Sequence, residues 1–244
     1  MNAAAYFAVT QANTMKPMQD CGKRPLYGPH DLLWVTCRKA LVTHDALPDW
    51  ACTGRLAHAP VVVRREQVGD LALLPVGLRG ETRSQRFSAY VQRDDVMRAI
   101  TPETLVRNVA WQSRLTLQQF PTVIALDELA PFLDSSGLHW GPTGSIGFTL
   151  ATGLTVLHPD SDLDLVVRAP VPLTLVQTVI LEKAIGKAPC RVDMQIDTGC
   201  GAFSFAEWAS GSKRVLLKTD TGPMLIADPW NAGARIDSGS QPKP

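Results

Sequence analysis

The sequence predicts an α+β fold: a mixed sheet with helices in the C-terminal half, and a smaller α/β domain in the N-terminal half. Short apolar runs rich in β-branched residues recur along the chain, and such runs favour strands. In the second half they alternate with helix-start signals and with apolar residues at helical spacing. Of the 244 residues, 45% are hydrophobic and 19% charged, which is typical of a globular chain with a buried core.

The chain divides into four predicted segments. Residues 1–22 are expected to form a loose leader, and residues 231–244, which are polar and contain Gly, Ser and Pro, a disordered tail. Residues 23–120 form a predicted N-terminal domain that binds a substrate or a partner. Residues 121–230 form a second predicted domain, and most of the motifs described below lie within it.

Strands dominate the prediction for the N-terminal domain. A short helix or strand is expected within His30–Ala40, and strands over Val61–Val63 and Leu71–Gly77. Thr101-Pro102-Glu103 supplies a hydroxyl N-cap, a proline at the first helical position and an acidic first turn. These signals predict a helix that continues through Trp111 to Leu117.

Helices and strands alternate in the prediction for the second domain. Helices are expected over 122–133, 146–152 and 173–185, and strands over 138–140, 163–167 and 191–196. Segments 214–217 and 224–227 are predicted to form a hairpin.

Charge, hydropathy and cysteine content exclude several classes of protein. The formal net charge is +1, whereas general nucleic-acid and membrane binders are far more basic, so any anion site must be local. No apolar run reaches the roughly 18–20 residues that span a membrane. The five cysteines are scattered without a C-x-x-C pair, which favours free thiols and a cytoplasmic location. The five histidines lack zinc-binding spacing, and His30 is interpreted as structural.

Three aspartates form the principal candidate site. Asp162 and Asp164 open an apolar strand and should point to the same face, because side chains alternate along a strand. Carboxylates this close repel each other unless a cation bridges them, and oxygen ligands suit Mg²⁺. Asp193 lies within a later predicted strand and is the predicted third ligand. A salt bridge from Asp193 to Arg168 or Arg191 is the alternative.

Phosphate-binding groups are predicted around the acids. Gly144-Ser145 follows a strand and precedes a helix, so the glycine allows close approach while the hydroxyl and free N–H groups bind phosphate. Arg79, Arg83 and Arg86 fall at helical spacing and would form a cationic edge if that segment is helical. An ordinary solvated face paired with Glu81 is the alternative. Lys218 is a weaker candidate for a phosphate ligand.

The strand ending in Gly-Ser, the D-x-D and the later strand aspartate resemble the core of polymerase-β-like nucleotidyltransferases. A closer resemblance is to phosphoribosyl-dephospho-CoA transferases, also called malonate decarboxylase holo-acyl-carrier-protein synthases. The similar stretches, spread over roughly residues 25–230, are W-G-P-T-G-S-I-G-F at 140–148, L-A-T-G at 150–153, S-D-L-D-L at 161–165, H-D-L-L-W at 30–34, P-V-G-L-R-G at 75–80, G-C-G-A-F-S at 199–204, L-L-K-T at 216–219 and D-P-W at 228–230.

The resemblance implies a nucleotidyltransferase-like catalytic domain and a specific reaction. The phosphoribosyl-dephospho-CoA group passes from 2′-(5″-triphosphoribosyl)-3′-dephospho-CoA to a serine of the apo acyl carrier protein of malonate decarboxylase, and pyrophosphate leaves. Asp162 and Asp164 match the expected catalytic metal ligands. Two alternatives stay open: a Mg²⁺-dependent nucleotidyltransferase that uses an ordinary nucleoside triphosphate, and a non-catalytic module that binds the carrier protein.

Overall fold

The computed structural model describes residues 26–82, 84–108, 111–112 and 115–232. The predicted leader, Arg83 and all but the first two residues of the predicted tail lie outside these ranges. Within them the chain folds into two six-stranded sheets with helices, which confirms the α+β class.

The N-terminal sheet is antiparallel throughout, with strand order β2-β5-β4-β3-β1-β6. Its strands are β1 (Leu32–Val35), β2 (Leu41–Val42), β3 (Val61–Val63), β4 (Leu73–Arg79), β5 (Arg86–Gln92) and β6 (Val96–Ile100). The other elements are helix α1 (Asp49–Cys52) and 3-10 turns at Arg38–Ala40, Gly54–His58 and Arg93–Asp95. This half is therefore built mainly from strands and has less helix than an α/β domain implies.

The C-terminal sheet is mixed, as predicted, with order β12-β11-β10-β9-β8-β7. Its strands are β7 (His139–Pro142), β8 (Leu163–Arg168), β9 (Val192–Asp197), β10 (Ala202–Ser204), β11 (Val215–Thr219) and β12 (Gly222–Ile226). Strands β8 and β9 are parallel, and the remaining neighbours are antiparallel. A parallel pair needs a long crossover, and the chain between β8 and β9 supplies one that contains a helix.

Among the described residues, five helices accompany this sheet: α2 (Pro102–Arg107), α3 (Pro121–Ser135), α4 (Gly144–Thr152), α5 (Leu175–Ile185) and α6 (Phe205–Ala209). One face of the sheet is apolar, with Leu163, Leu165 and Val167 of β8 buried in the same core as Leu126 of α3 and Leu181 of α5. Because strand side chains alternate, residues 162, 164 and 168 take the opposite face. That opposite face carries the charged side chains.

In the second half of the chain one predicted helix is too long and two short elements were not predicted. The helix predicted from Thr101 begins there, with the Thr104 N–H donating to the Thr101 hydroxyl at 3.2 Å, but it ends at Arg107 instead of reaching Leu117. The chain turns so that Trp111 is buried and its indole N–H donates to Asp127 of α3 at 3.1 Å. Strand β10 and helix α6 were not predicted, because elements of three and five residues are too short for a periodic signal.

Cysteine state and membrane compatibility follow from the same coordinates. Cys37, Cys52 and Cys190 are free thiols, as expected, but Cys200 is disulfide-bonded, which the scattered spacing did not predict. Among the helices of the described ranges, none combines the length and the apolar character needed to cross a bilayer.

Candidate active site

Asp164 and Asp193 are direct neighbours in the C-terminal sheet. They are register partners on the parallel strands β8 and β9, so their side chains emerge side by side from the charged face. Asp162 immediately precedes β8, and its Oδ2 lies 3.6 Å from Nη1 of the exposed Arg191. All three aspartates are half-buried. The alternating pattern that predicted a shared face for Asp162 and Asp164 agrees with the burial of Leu163 between them.

The Asp164 carboxylate packs directly against Gly144. A Cβ built on Gly144 would lie 2.6 Å from Cγ and 2.9 Å from Cβ of Asp164, and closer still to Oδ2. Gly144 has φ +55°, a left-handed conformation that favours glycine. The Thr143 N–H donates to the Asp164 carbonyl oxygen at 2.9 Å and fixes the start of α4 beside β8. The start of this helix and the acidic pair therefore form one unit.

The three carboxyl groups do not form a ready-made metal cage. In the part of the chain that the structure describes, no group of three or more His, Cys, Asp and Glu side chains is arranged to hold a metal ion. Magnesium, however, is commonly held by one or two carboxylates together with substrate phosphates. The side-by-side placement of Asp164 and Asp193 fits that mode of binding.

A cleft of about 300 Å³ opens on the other side of Gly144, between one face of the N-terminal sheet and the start of α4. Gly144 and the predicted phosphate ligands Arg79 and Arg86 all line it. The helical arrangement assumed for the arginines is wrong: β4 ends at Arg79, β5 begins at Arg86, and the two residues face each other across the hairpin. Arg83 lies outside the described residues.

Neither of the remaining two predicted ligands lines the cleft. Ser145 is buried in the first turn of α4 and does not line the cleft. Lys218 lies on the charged face, because it pairs with Ala202, which in turn pairs with Asp197. Since Asp197 is four residues beyond Asp193 on β9, and Lys218 lies two strands further across the sheet, Lys218 stands more than about 13 Å from the acids.

A buried ion-pair network joins the two halves of the molecule at this far end. Nη1 of Arg168 lies 2.6 Å from Oδ2 of Asp197, and its Nε lies 2.8 Å from Oε1 of Glu103. Arg65, from the chain after β3, approaches the same Asp197 oxygen at 3.0 Å. Burial alone would raise the pKa of Asp197, but the guanidinium groups of Arg65 and Arg168 outweigh burial and hold that pKa below its usual range.

His30 is a cleft residue whose geometry sequence reasoning missed. Gly28, Pro29, His30 and Asp31 form a turn closed by a 3.1 Å hydrogen bond from the Asp31 N–H to the Gly28 carbonyl, and His30 has φ +76°. That left-handed value at the third turn position follows the type II pattern and is uncommon for a residue with a side chain. Burial first, then the positive charges of Arg168 and other neighbours, lower the pKa of His30 to about 4.

The Gly-Pro-His-Asp sequence gave one usable signal for this turn, a proline at its second position. The contact of His30 with the cleft could not be read from it, because the cleft joins segments that are distant in sequence.

Comparison with known proteins identifies the family. Residues 28–102 match the N-terminal domain and residues 107–229 the C-terminal domain of the family described as phosphoribosyl-dephospho-CoA transferase MdcG. Proteins named phosphoribosyl-dephospho-CoA transferase from Pseudomonas putida (strain GB-1) and Klebsiella pneumoniae are 45% and 42% identical over 207 and 204 residues. These alignments cover 85% and 83% of this chain and 97% and 96% of the relatives. No solved structure shows a significant match. The chain therefore belongs to the phosphoribosyl-dephospho-CoA transferase family of enzymes.

Proposed function

We propose that this protein transfers the phosphoribosyl-dephospho-CoA group from 2′-(5″-triphosphoribosyl)-3′-dephospho-CoA to a serine of the apo acyl carrier protein of malonate decarboxylase. The serine hydroxyl attacks the α-phosphate of the donor, pyrophosphate leaves, and a phosphodiester links the prosthetic group to the carrier. Membership of the family supports the donor class. We further propose that the reaction takes place in the cytoplasm and involves neither nucleic acid nor membrane.

The observation that carries the proposal is the register of Asp164 with Asp193 beside Gly144. Displacement at a phosphate needs positioned charge more than covalent participation by the protein. Two carboxylates side by side, next to a backbone without a side chain, offer a place where a cation and a phosphate chain can meet.

Asp162, Asp164 and Asp193 are the proposed ligands of Mg²⁺. Their donor set consists of carboxylate oxygens, which this cation prefers. When bound, Mg²⁺ supplies neutralisation of the charge that develops on the phosphates. The proposal also assigns to the Asp193 carboxylate the proton of the attacking serine.

The chain's other residues bind and orient the donor. Gly144 lets the start of α4 approach Asp164 closely, and the proposal places the donor's phosphates at the N–H groups of that helix start. Ser145 is proposed as a further phosphate ligand. Because the residue is buried, the proposal assigns this contact to its backbone N–H in the first turn of α4. Arg79, Arg83 and Arg86 are proposed cationic ligands, and Lys218 a remote one.

Mass spectrometry of the carrier protein tests the proposal. Incubation of apo carrier protein with enzyme, donor and Mg²⁺ should increase the carrier mass by one phosphoribosyl-dephospho-CoA group, and Asp164→Asn should abolish the gain. A mass gain with ATP or CTP in place of the donor would favour the nucleoside-triphosphate alternative. Binding of the carrier without any mass gain would favour the non-catalytic module. Either result would overturn the proposal.

A further inference from the structure

We propose that the cleft between the N-terminal sheet and α4 binds the adenosine diphosphate portion of the donor's dephospho-CoA half. The inference rests on the proposed function and adds a location for the part of the donor that does not react. The donor would cross the backbone at Gly144, with its triphosphate arm at the acids and its nucleoside diphosphate in the cleft.

The floor of the cleft is a flat apolar surface. Register pairs place one residue from each of five neighbouring strands in a row across the N-terminal sheet, and all five line the cleft: Ile100, Leu32, Val62, Gly77 and Ser88. At the β4–β5 end of this row Ser88 is small, and the Arg64 side chain lies against Gly77, with its Cδ 3.4 Å from a Cβ built there. A flat apolar surface is suited to the face of a planar base.

The opposite wall is also apolar and comes from the second half of the molecule. Phe148 of α4, Leu105 of α2 and Pro142 of β7 line it. A volume of about 300 Å³ is at the small end of the range for ligand sites, which suits a nucleoside rather than a complete donor of this size. The rest of the ligand must therefore leave the cleft at its ends.

One end of the cleft is cationic. Arg79 and Arg86 are cross-strand partners and both line it, together with Arg64. Among the described residues that form its lining, none is acidic. The Arg64 Nε donates to the Val76 carbonyl at 3.0 Å and its Nη2 lies 2.6 Å from Oε2 of Glu66, so that guanidinium is already paired and the proposal relies on Arg79 and Arg86. An arginine pair is suited to a diphosphate, because guanidinium groups bind phosphate oxygens in bidentate fashion.

The other end of the cleft meets the acidic pair at Gly144, which both lines the cleft and contacts Asp164. The molecule thus offers two separate places for phosphate, one on each side of an apolar cleft. A nucleoside triphosphate has only one phosphate chain. The proposed donor has two phosphate chains, a 5′-diphosphate and a triphosphate arm attached through the 2′ position. The diphosphate would lie at the arginine end of the cleft and the triphosphate at the Gly144 end.

Calorimetric titration of the full chain with dephospho-CoA tests the location without requiring turnover. We expect binding to the wild type, displacement by ADP, and a loss of affinity of about 10-fold or more in Arg86→Ala, which removes a charged hydrogen-bonding partner. Ser88→Trp should also weaken binding at least about 10-fold, because Ser88 is an exposed strand residue from which a bulky side chain would fill the cleft. The matched control is Arg98→Ala, an exposed strand arginine of the same sheet outside the cleft, which should bind as the wild type does.

Parallel carrier-modification assays separate this inference from the proposed function. Ser88→Trp should raise the KM for the full donor and leave kcat at saturating donor nearly unchanged, while Asp164→Asn should bind dephospho-CoA normally and transfer nothing. No binding of dephospho-CoA to the wild type, or equal affinity in Ser88→Trp and Arg98→Ala, would overturn the location even if the carrier is still modified. Failure of the wild type to modify the carrier would instead overturn the proposed function.

Discussion

Replacing Gly144 by alanine is the sharpest perturbation of the acidic pair, because the new methyl group would occupy the space now held by a carboxylate. The added Cβ would lie 2.6 Å from Cγ of Asp164, far inside ordinary contact between carbon atoms. The Asp164 side chain must then rotate away from the start of α4, or the helix start must move. Either response separates Asp164 from its place beside Asp193.

The expected magnitudes differ between stability and activity. A left-handed φ of +55° costs an alanine roughly 1–2 kcal/mol. Misplacement of a reacting group by about 1 Å can cost about 100-fold in rate. We therefore expect Gly144→Ala to lower the carrier-modification rate by about 100-fold or more, while urea unfolding shows a loss of roughly 1–3 kcal/mol.

Gly137→Ala is the matched control. Gly137 also has a left-handed φ, +69°, but nothing lies within 4 Å of a Cβ built there. It should show the backbone cost alone and keep the wild-type rate. The reasoning is refuted if Gly144→Ala modifies the carrier as fast as Gly137→Ala does.

Three further predictions concern charged groups. Without Mg²⁺, Asp193→Asn should raise the unfolding free energy measured in urea, because it removes a like charge beside Asp164, and it should abolish transfer; an unchanged rate would contradict its role. Arg168→Met should lower the unfolding free energy by about 3 kcal/mol, since it removes the cation that two largely buried carboxylates share, although Arg65 still reaches Asp197; a loss below about 1 kcal/mol would contradict this. Because the pKa of His30 is about 4 in the folded protein, the unfolded chain takes up a proton on this residue first as pH falls. The neutral, buried His30 therefore costs no stability above about pH 6.5, and the free energy of unfolding falls progressively between pH 6.5 and pH 4. Wild-type stability should drop by about 2 kcal/mol more than that of His30→Asn between pH 7 and pH 5, and equal pH dependence in urea titrations would contradict this.

The acidic part of the site could be predicted because it depends on local periodicity. Asp162 and Asp164 flank Leu163, and the core demands leucine on one face, so the carboxylates must take the other. The metal predicted to be shared with Asp193 requires its strand to neighbour that of Asp164, and the two strands are parallel neighbours joined through α5; their register is a tertiary feature that local periodicity does not give.

The cationic part could not be predicted in the same way. Arg79 and Arg86 are seven residues apart, a spacing that places them on one face of a helix and equally allows them to face each other across a hairpin. Strand β4 also pairs with β3, which begins 18 positions before Arg79, and this pairing favours the strand conformation. The spacing of the arginines alone does not reveal that contact. The cleft has the same origin, since its two walls belong to different halves of the chain.

In the W-G-P-T-G-S-I-G stretch, three glycines within seven residues each bring the backbone into close contact with another group. A Cβ on Gly141 would collide with the Pro102 backbone at the start of α2, and one on Gly147 would lie 2.7 Å from the Pro142 carbonyl oxygen. Between them, Gly144 accommodates the Asp164 carboxylate. The first contact holds α2 and its Glu103, which reaches the ion-pair network, against β7. The motif thus holds the cleft-lining residues Pro102 and Pro142 close to the start of α4, whose Gly144 contacts Asp164, so a side chain at any of the three glycines should disturb both parts of the proposed site.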